Sequence, residues 1–163
     1  MTKFLSYHQT PLGELSIVAG NDHLIQLGLV GDELPSNSVL CDLSTEPEII
    51  THTKRQLDEY FAGKRSSFDL PLAPRGTDFQ QQVWAALCAI PYGQTQSYGQ
   101  IAAYVGRPKA ARAVGGANNK NPIAIIIPCH RVIGASGAMV GYRGGLDIKH
   151  QLLELEGIIG NDY

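Results

Sequence analysis

The chain has 163 residues, 44% of them apolar and 17% charged, with a net charge of −2. That balance excludes a disordered polyelectrolyte and suffices for a buried core in one domain or two small ones. With no run of eighteen apolar residues and no basic-then-apolar leader, a cytoplasmic protein without membrane attachment is expected. Three widely spaced cysteines, Cys41, Cys88 and Cys129, indicate neither a disulfide framework nor a four-ligand zinc site. The net charge conceals a segregation. Residues 1–78 carry eleven acids against six Lys/Arg, residues 79–146 carry no acid against six Lys/Arg, and residues 147–163 carry four acids against one lysine. A carboxylate-free stretch of 68 residues suits a surface that faces phosphates, because any carboxylate there would repel the polyanion.

The first thirty residues alternate β-rich runs with turn signals: Phe4 to Tyr7, Leu15 to Ala19 and Leu24 to Val30 read as an antiparallel meander. Residues 31–44 read as a polar loop. Thr45 with Glu48 spells a capping box, and Ile49, Ile50, Leu57, Tyr60 and Phe61 share a helical face until Gly63. His8, His23 and His52 lie scattered among ordinary neighbours. Residues 1–70 therefore form a sheet-plus-helix domain, 71–76 a Pro/Gly linker, and 77–163 a second domain.

In that second domain Thr77 and Gln80 form a capping box for a helix that carries Phe79, Val83, Leu87 and Ile90 and stops at Pro91. Ser97 with Gln100 caps the next helix, which carries Ile101, Ala102 and Val105 and ends at Gly106. A helix from Pro108 through Lys109, Ala110, Ala111, Arg112, Ala113 and Val114 follows, broken by Gly115-Gly116. Helix, glycine turn and basic helix is the helix-turn-helix pattern, which an ordinary helical hairpin shares. The second helix offers alanines and one arginine where a base reader would present several polar side chains, so it can approach a groove without reading sequence.

Asn121 to Val132 reads as an apolar, strand-like run stopped by Pro128 and followed by Cys129 and His130. A thiol beside an imidazole is the minimum for an activated sulfur nucleophile, since a nearby base or cation raises the thiolate fraction. A small buried cysteine fits the same residues. Gly134 to Gly137 reads as a turn, Ala138 to Tyr142 as a short return strand, and Gly144-Gly145 as the entry to a last helix with Leu146, Lys149, Leu152, Leu153 and Leu155. Glu156 falls in its final turn, where the helix dipole disfavours a carboxylate.

Taken together, Ser97-Tyr98-Gly99-Gln100-Ile101-Ala102, Ala110 to Gly115, Asn121-Pro122, Ile127-Pro128-Cys129-His130-Arg131-Val132, Gly141 to Leu146 and Leu152 to Gly157 resemble the O6-alkylguanine-DNA alkyltransferases. The match covers residues 77–157; the first half is similar only in its sheet-helix layout. The resemblance implies an α+β/α protein, with a ribonuclease-H-like N-terminal domain followed by a winged-helix-like helix-turn-helix domain for DNA binding and catalysis. It implies irreversible, single-turnover transfer of an alkyl group from O6-alkylguanine in double-stranded DNA to Cys129, with O4-alkylthymine left open as a second substrate. His130 would draw the thiol proton through a water, since neighbouring side chains rarely point together, and Glu156 would hold the imidazole. Asn121 would brace the site and Tyr98 would protonate the departing guanine. Arg112 would replace the flipped base, with Lys109, Ala110, Ala111 and Gly115 against the DNA and Val132, Tyr142, Arg143 and Gly144 around the pocket. A monomer is implied, with cooperative binding on DNA left open. Arg143 departs from the small residue usual beside Gly-Gly, and the N-terminal half lacks the clustered Cys/His zinc ligands of some relatives, so no metal and no cofactor are expected. A non-catalytic module that binds alkylated DNA is the alternative, against which the cysteine at 129 speaks.

Overall fold

The computed structural model describes residues 2–134 and 142–158 and divides into two compact units, Met1–Arg75 with Pro122–Ala124, and Gly76–Asn121 with Ile125–Tyr163. In the first unit β1 (Lys3–Thr10), β2 (Gly13–Ala19) and β3 (Leu24–Gly28) form the expected antiparallel meander. The β1–β2 turn is tight because Gly13 takes φ +99° and the Thr10 hydroxyl donates to the Gly13 carbonyl at 2.8 Å. A fourth strand, β4 (Ser38–Leu40), lies within the segment read as a polar loop. It pairs parallel to β1 and gives the order β3-β2-β1-β4. Three residues at a sheet edge, two of them exposed, carry no alternating pattern to reveal them.

Helix α1 (Glu48–Phe61) packs on β1 and β2 and buries Ile49, Ile50, Leu57 and Tyr60. The expected Thr45–Glu48 capping box does not form. Pro47 is the N-cap, without a side-chain bond, and Thr45 is held instead in a turn by the Asp42 carboxylate, which accepts its N–H at 3.1 Å. Proline suits a helix start because its missing N–H is not needed there. The Leu24 N–H donates to the Pro71 carbonyl, and Leu27 bridges to Ile123.

The second unit opens with α2 (Asp78–Cys88), β5 (Gln96–Ser97) and α3 (Tyr98–Tyr104), and both expected capping boxes, Thr77/Gln80 and Ser97/Gln100, are present. Gly106, at φ +79°, ends the turn after α3. Helix α4 (Ala111–Asn119) then packs on α2 and α3. Two expectations are corrected here. Pro108, Lys109 and Ala110 precede α4 rather than opening it, and Gly115-Gly116 do not break it. Each glycine costs a helix up to about 1 kcal/mol, but burial of Val114 before the pair and of Ala117 and Asn118 beyond it continues the helix.

The apolar run before Cys129 is also not a strand. Ile123 makes one isolated bridge, residues 124–126 turn with Ile125 at φ +73°, and Cys129–Arg131 form a 3-10 turn. Strand β6 (Val132–Ile133) follows and pairs parallel to β5, Gln96 against Val132 and Ser97 against Ile133. Residues 135–141, including most of the expected turn and return strand, lie outside the described residues; Tyr142 itself is not in a strand. Helix α5 (Leu146–Leu155) closes the unit and buries Lys149, Leu152 and Leu153. Among the described residues no helix is long and apolar enough to cross a membrane.

Trp84 anchors this helical core, 2% exposed and donating its indole N–H to the Ala117 carbonyl of α4 at 2.9 Å. Trp84→Ala should therefore cost about 3–5 kcal/mol, read as a lowered urea midpoint by circular dichroism.

Candidate active site

The segment that carries Cys129 is fixed by two asparagines. Asn118 Nδ2 donates to the Cys129 carbonyl at 3.3 Å, Asn121 Nδ2 donates to the Ile127 carbonyl at 2.7 Å, and both residues are buried. Between them and the turn stands Ile125, 1% exposed and in the left-handed region that a β-branched residue avoids at a cost of order 1–3 kcal/mol. The Cys129 N–H then donates to the Ile127 carbonyl at 2.8 Å and starts the 3-10 turn. These bonds place the thiol at a sharp bend instead of at the end of a strand.

Cys129 is 3% exposed. Burial pushes its thiol above the usual range; hydrogen bonds with Asn121 and Tyr142 and the charges of Arg143 and Lys149 pull the other way. The sequence expectation of a raised thiolate fraction thus meets an opposing force, desolvation of the anion, that only the fold reveals.

His130, fully buried, lies 2.7 Å through Nε2 from Glu156 Oε2. Its Nδ1 is buried without a hydrogen-bond partner among the described residues. Burial first, then the charges of Arg131 and Lys149, hold the imidazole below its ordinary pKa, while Glu156 pulls it up. The neutral ring donates from Nε2 to Glu156, which leaves the lone pair on Nδ1. Glu156 caps the end of α5 as expected, and its unfavourable place is explained by its partners. Arg131 Nε donates to Oε1 at 2.7 Å and Nη2 to Oε2 at 3.0 Å.

Arg131 is itself tied down: Nη1 donates to the Ile90 carbonyl at 2.8 Å and the guanidinium lies 5.8 Å from the Tyr92 ring centroid. A second cation, Lys149 of α5, has no exposure and donates from Nζ to the Val132 carbonyl at 2.6 Å. Burial drops its pKa to about 8, against the pull of Cys129. Sequence reasoning does not single out Arg131, Lys149 or Asn118. The available signal for Lys149 is its place on the apolar face of α5, in register with Leu152 and Leu153.

Tyr98, the first residue of α3, has its phenol pushed up by burial and by the charge of Cys129, so it stays protonated. Gly115 lies against its ring, where a Cβ would stand 3.8 Å away. Tyr142, Arg143 and Gly144 occupy the turn before Gly145, whose φ of +97° calls for glycine. In that turn Arg143 Nη2 donates to the Asn121 carbonyl at 3.1 Å. The structure thus brings Cys129, His130, Glu156, Asn121, Tyr98, Val132, Tyr142 and Arg143 into one unit around the turn. Lys109 and Ala110 immediately precede α4, Ala111 and Arg112 open it, and Arg112 is exposed. Among the described residues no cluster of His, Cys, Asp and Glu could hold a metal ion.

A histidine whose pKa is lowered by the fold binds a proton more readily once unfolded, so stability should fall as pH drops below 6.5. The loss of urea midpoint between about pH 7.5 and about pH 5 should be smaller in His130→Gln than in the native protein.

Residues 78–158 match the family model described as 6-O-methylguanine DNA methyltransferase, DNA binding domain, and residues 4–74 match its ribonuclease-like domain. A methylated-DNA–protein-cysteine methyltransferase of Methanosarcina barkeri is 52% identical over 153 residues, 91% of this chain and 93% of its own. The protein of the same name from Mycobacterium tuberculosis is 50% identical over 148 residues, 90% of this chain and 88% of its own. The crystal structure of M. tuberculosis OGT in complex with DNA superimposes with a TM-score of 0.88 at 46% identity, over 98% of this chain and 96% of that one. With both halves matched and a buried cysteine, histidine and glutamate assembled in the second, the chain belongs to the 6-O-methylguanine DNA methyltransferase family.

Proposed function

We infer that this chain repairs DNA by direct reversal, moving the alkyl group of O6-alkylguanine irreversibly to its own Cys129. The observation that carries this reading is the buried pair of His130 and Glu156 beside a buried cysteine, in a chain of this family. The thiol proton passes to His130 Nδ1 through a bridging water, and the imidazolium is held on Glu156. A sulfur lone pair forms the S–C bond as the C–O6 bond breaks, and the electron pair leaves on the guanine. Tyr98, kept protonated by burial, supplies a proton to that leaving group and is later reprotonated. In net terms the alkyl group goes to sulfur and the thiol proton to guanine. A thioether is stable and no residue here can remove it, so each molecule acts once.

Double-stranded DNA is the partner, held against α4 with Lys109 on phosphate and Ala110, Ala111 and Gly115 allowing close approach. Arg112 fills the gap in the stack left by the flipped base, which costs a few kcal/mol to extrude and less when damaged. Val132, Tyr142, Arg143 and Gly144 line the pocket. We assign domains to 1–70 and 77–163 with the linker at 71–76, a monomeric state in solution and a cytoplasmic location. The non-catalytic reading, in which the chain only binds alkylated DNA, is disfavoured by Cys129.

Incubation with a duplex containing O6-methylguanine should add the mass of one methyl group to the Cys129 peptide, and an unmodified peptide after full reaction would refute transfer. Cys129→Ser should keep DNA binding and lose transfer. Arg112→Ala should slow repair in duplex DNA by about tenfold or more, the worth of 1.4 kcal/mol, while reaction with the free alkylated base changes little.

A further inference from the structure

We propose that Arg131 is a positioning residue for the transfer reaction: by gripping both oxygens of Glu156 it holds the carboxylate in place for His130 yet withholds a full counter-ion from the imidazole. The proposal rests on the functional reading above. Oε1 is taken by Arg131 Nε, and Oε2 is shared between Arg131 Nη2 and His130 Nε2. A buried histidine facing a carboxylate alone would be stabilised as the imidazolium, whose Nδ1 carries a proton and accepts nothing. Burial already disfavours the imidazolium, and the guanidinium on the same carboxylate weakens the attraction that remains.

The groups that face this cluster give the same balance. From α5 come Glu156 and Lys149, and from the turn come Arg131 and Cys129. Cys88, at the end of α2, and Tyr92, in the turn beyond it, lie near Arg131, and burial favours the uncharged form of each. Tyr98 stands near Cys129 and is also held uncharged. With the thiol intact Arg131, Lys149 and Glu156 act on His130, and Arg143 adds a further positive charge on the Cys129 side, so a resting imidazolium would add to an excess of positive charge. Once Cys129 loses its proton a second anion is present to offset the charge of protonated His130. Arg131 thereby ties protonation of the base to formation of the nucleophile. Its hydrogen bond to the Ile90 carbonyl and its contact with the Tyr92 ring are ties separate from Glu156.

The test is the titration of the His130 imidazole by NMR in full-length protein, alongside the pH dependence of alkyl transfer. In Arg131→Met the imidazole should titrate about one pH unit or more above the native protein, and the acid limb of the transfer rate should move up with it. Arg131→Lys retains a cation but not the two-point grip, and should give a smaller shift in the same direction. This variant decides the matter if Arg131→Met does not fold. A slower reaction with the imidazole titration unmoved, or moved down, would overturn the proposal and leave Arg131 a structural tie. If the native protein transfers no alkyl group, the functional reading fails, while the titration still decides what Arg131 does.

Discussion

A carboxylate buried at the C-terminal end of a helix is opposed twice, by lost hydration and by the helix dipole, and it persists only with partners on both oxygens. Glu156 has them: one imidazole and a two-pronged guanidinium, all at 3.0 Å or less. Through Arg131 the same carboxylate reaches the Ile90 carbonyl beyond α2, and through His130 it reaches the turn that carries Cys129. Three segments distant in sequence are thus held by one charge. Removing Arg131 would take the two-pronged cation from a buried carboxylate and leave only the imidazole to balance it, which costs more than an ordinary hydrogen bond.

The geometry around the thiol uses backbone as much as side chains. Two asparagines occupy carbonyls on either side of Pro128, and Ile125 is kept in an unfavourable conformation by complete burial. The short β5–β6 ladder adds alignment, because β5 runs directly into the cap of α3 and β6 runs directly out of the Cys129 turn. The backbone of Tyr98 and Cys129 is therefore aligned by main-chain hydrogen bonds as well as by the asparagine side chains.

Much of this was legible in the residues. The meander, the two S/T-x-x-Q caps and the end of α3 follow from local rules that tertiary contacts did not override. Where local rules failed, a longer-range interaction won. Thr45 was drawn into the Asp42 turn, α4 ran through two glycines because the residues beyond them are buried, and the isoleucine run was bent rather than extended. Cys129, His130 and Glu156 could be recognised from their motif, but Arg131 could not be distinguished from a phosphate-binding cation. Its partner is 25 residues away and its other tie is a carbonyl 41 residues back. Lys149 was hidden likewise, since a lysine in an amphipathic helix ordinarily faces water.

The three residues Pro122–Ala124 belong to the first unit although the second surrounds them in sequence. Leu27 donates to the Pro122 carbonyl and accepts from Ala124, and Ile123 and Ala124 have no exposed surface. The halves are consequently not interchangeable cassettes. A gene fusion or truncation that kept only the chain from Gly76 onward would inherit two apolar residues evolved to lie beside a strand it no longer encodes, five residues ahead of the acceptor cysteine. Recombination between relatives at the linker would have to preserve that match, so the β3 edge and the segment before Cys129 are expected to be inherited as one unit.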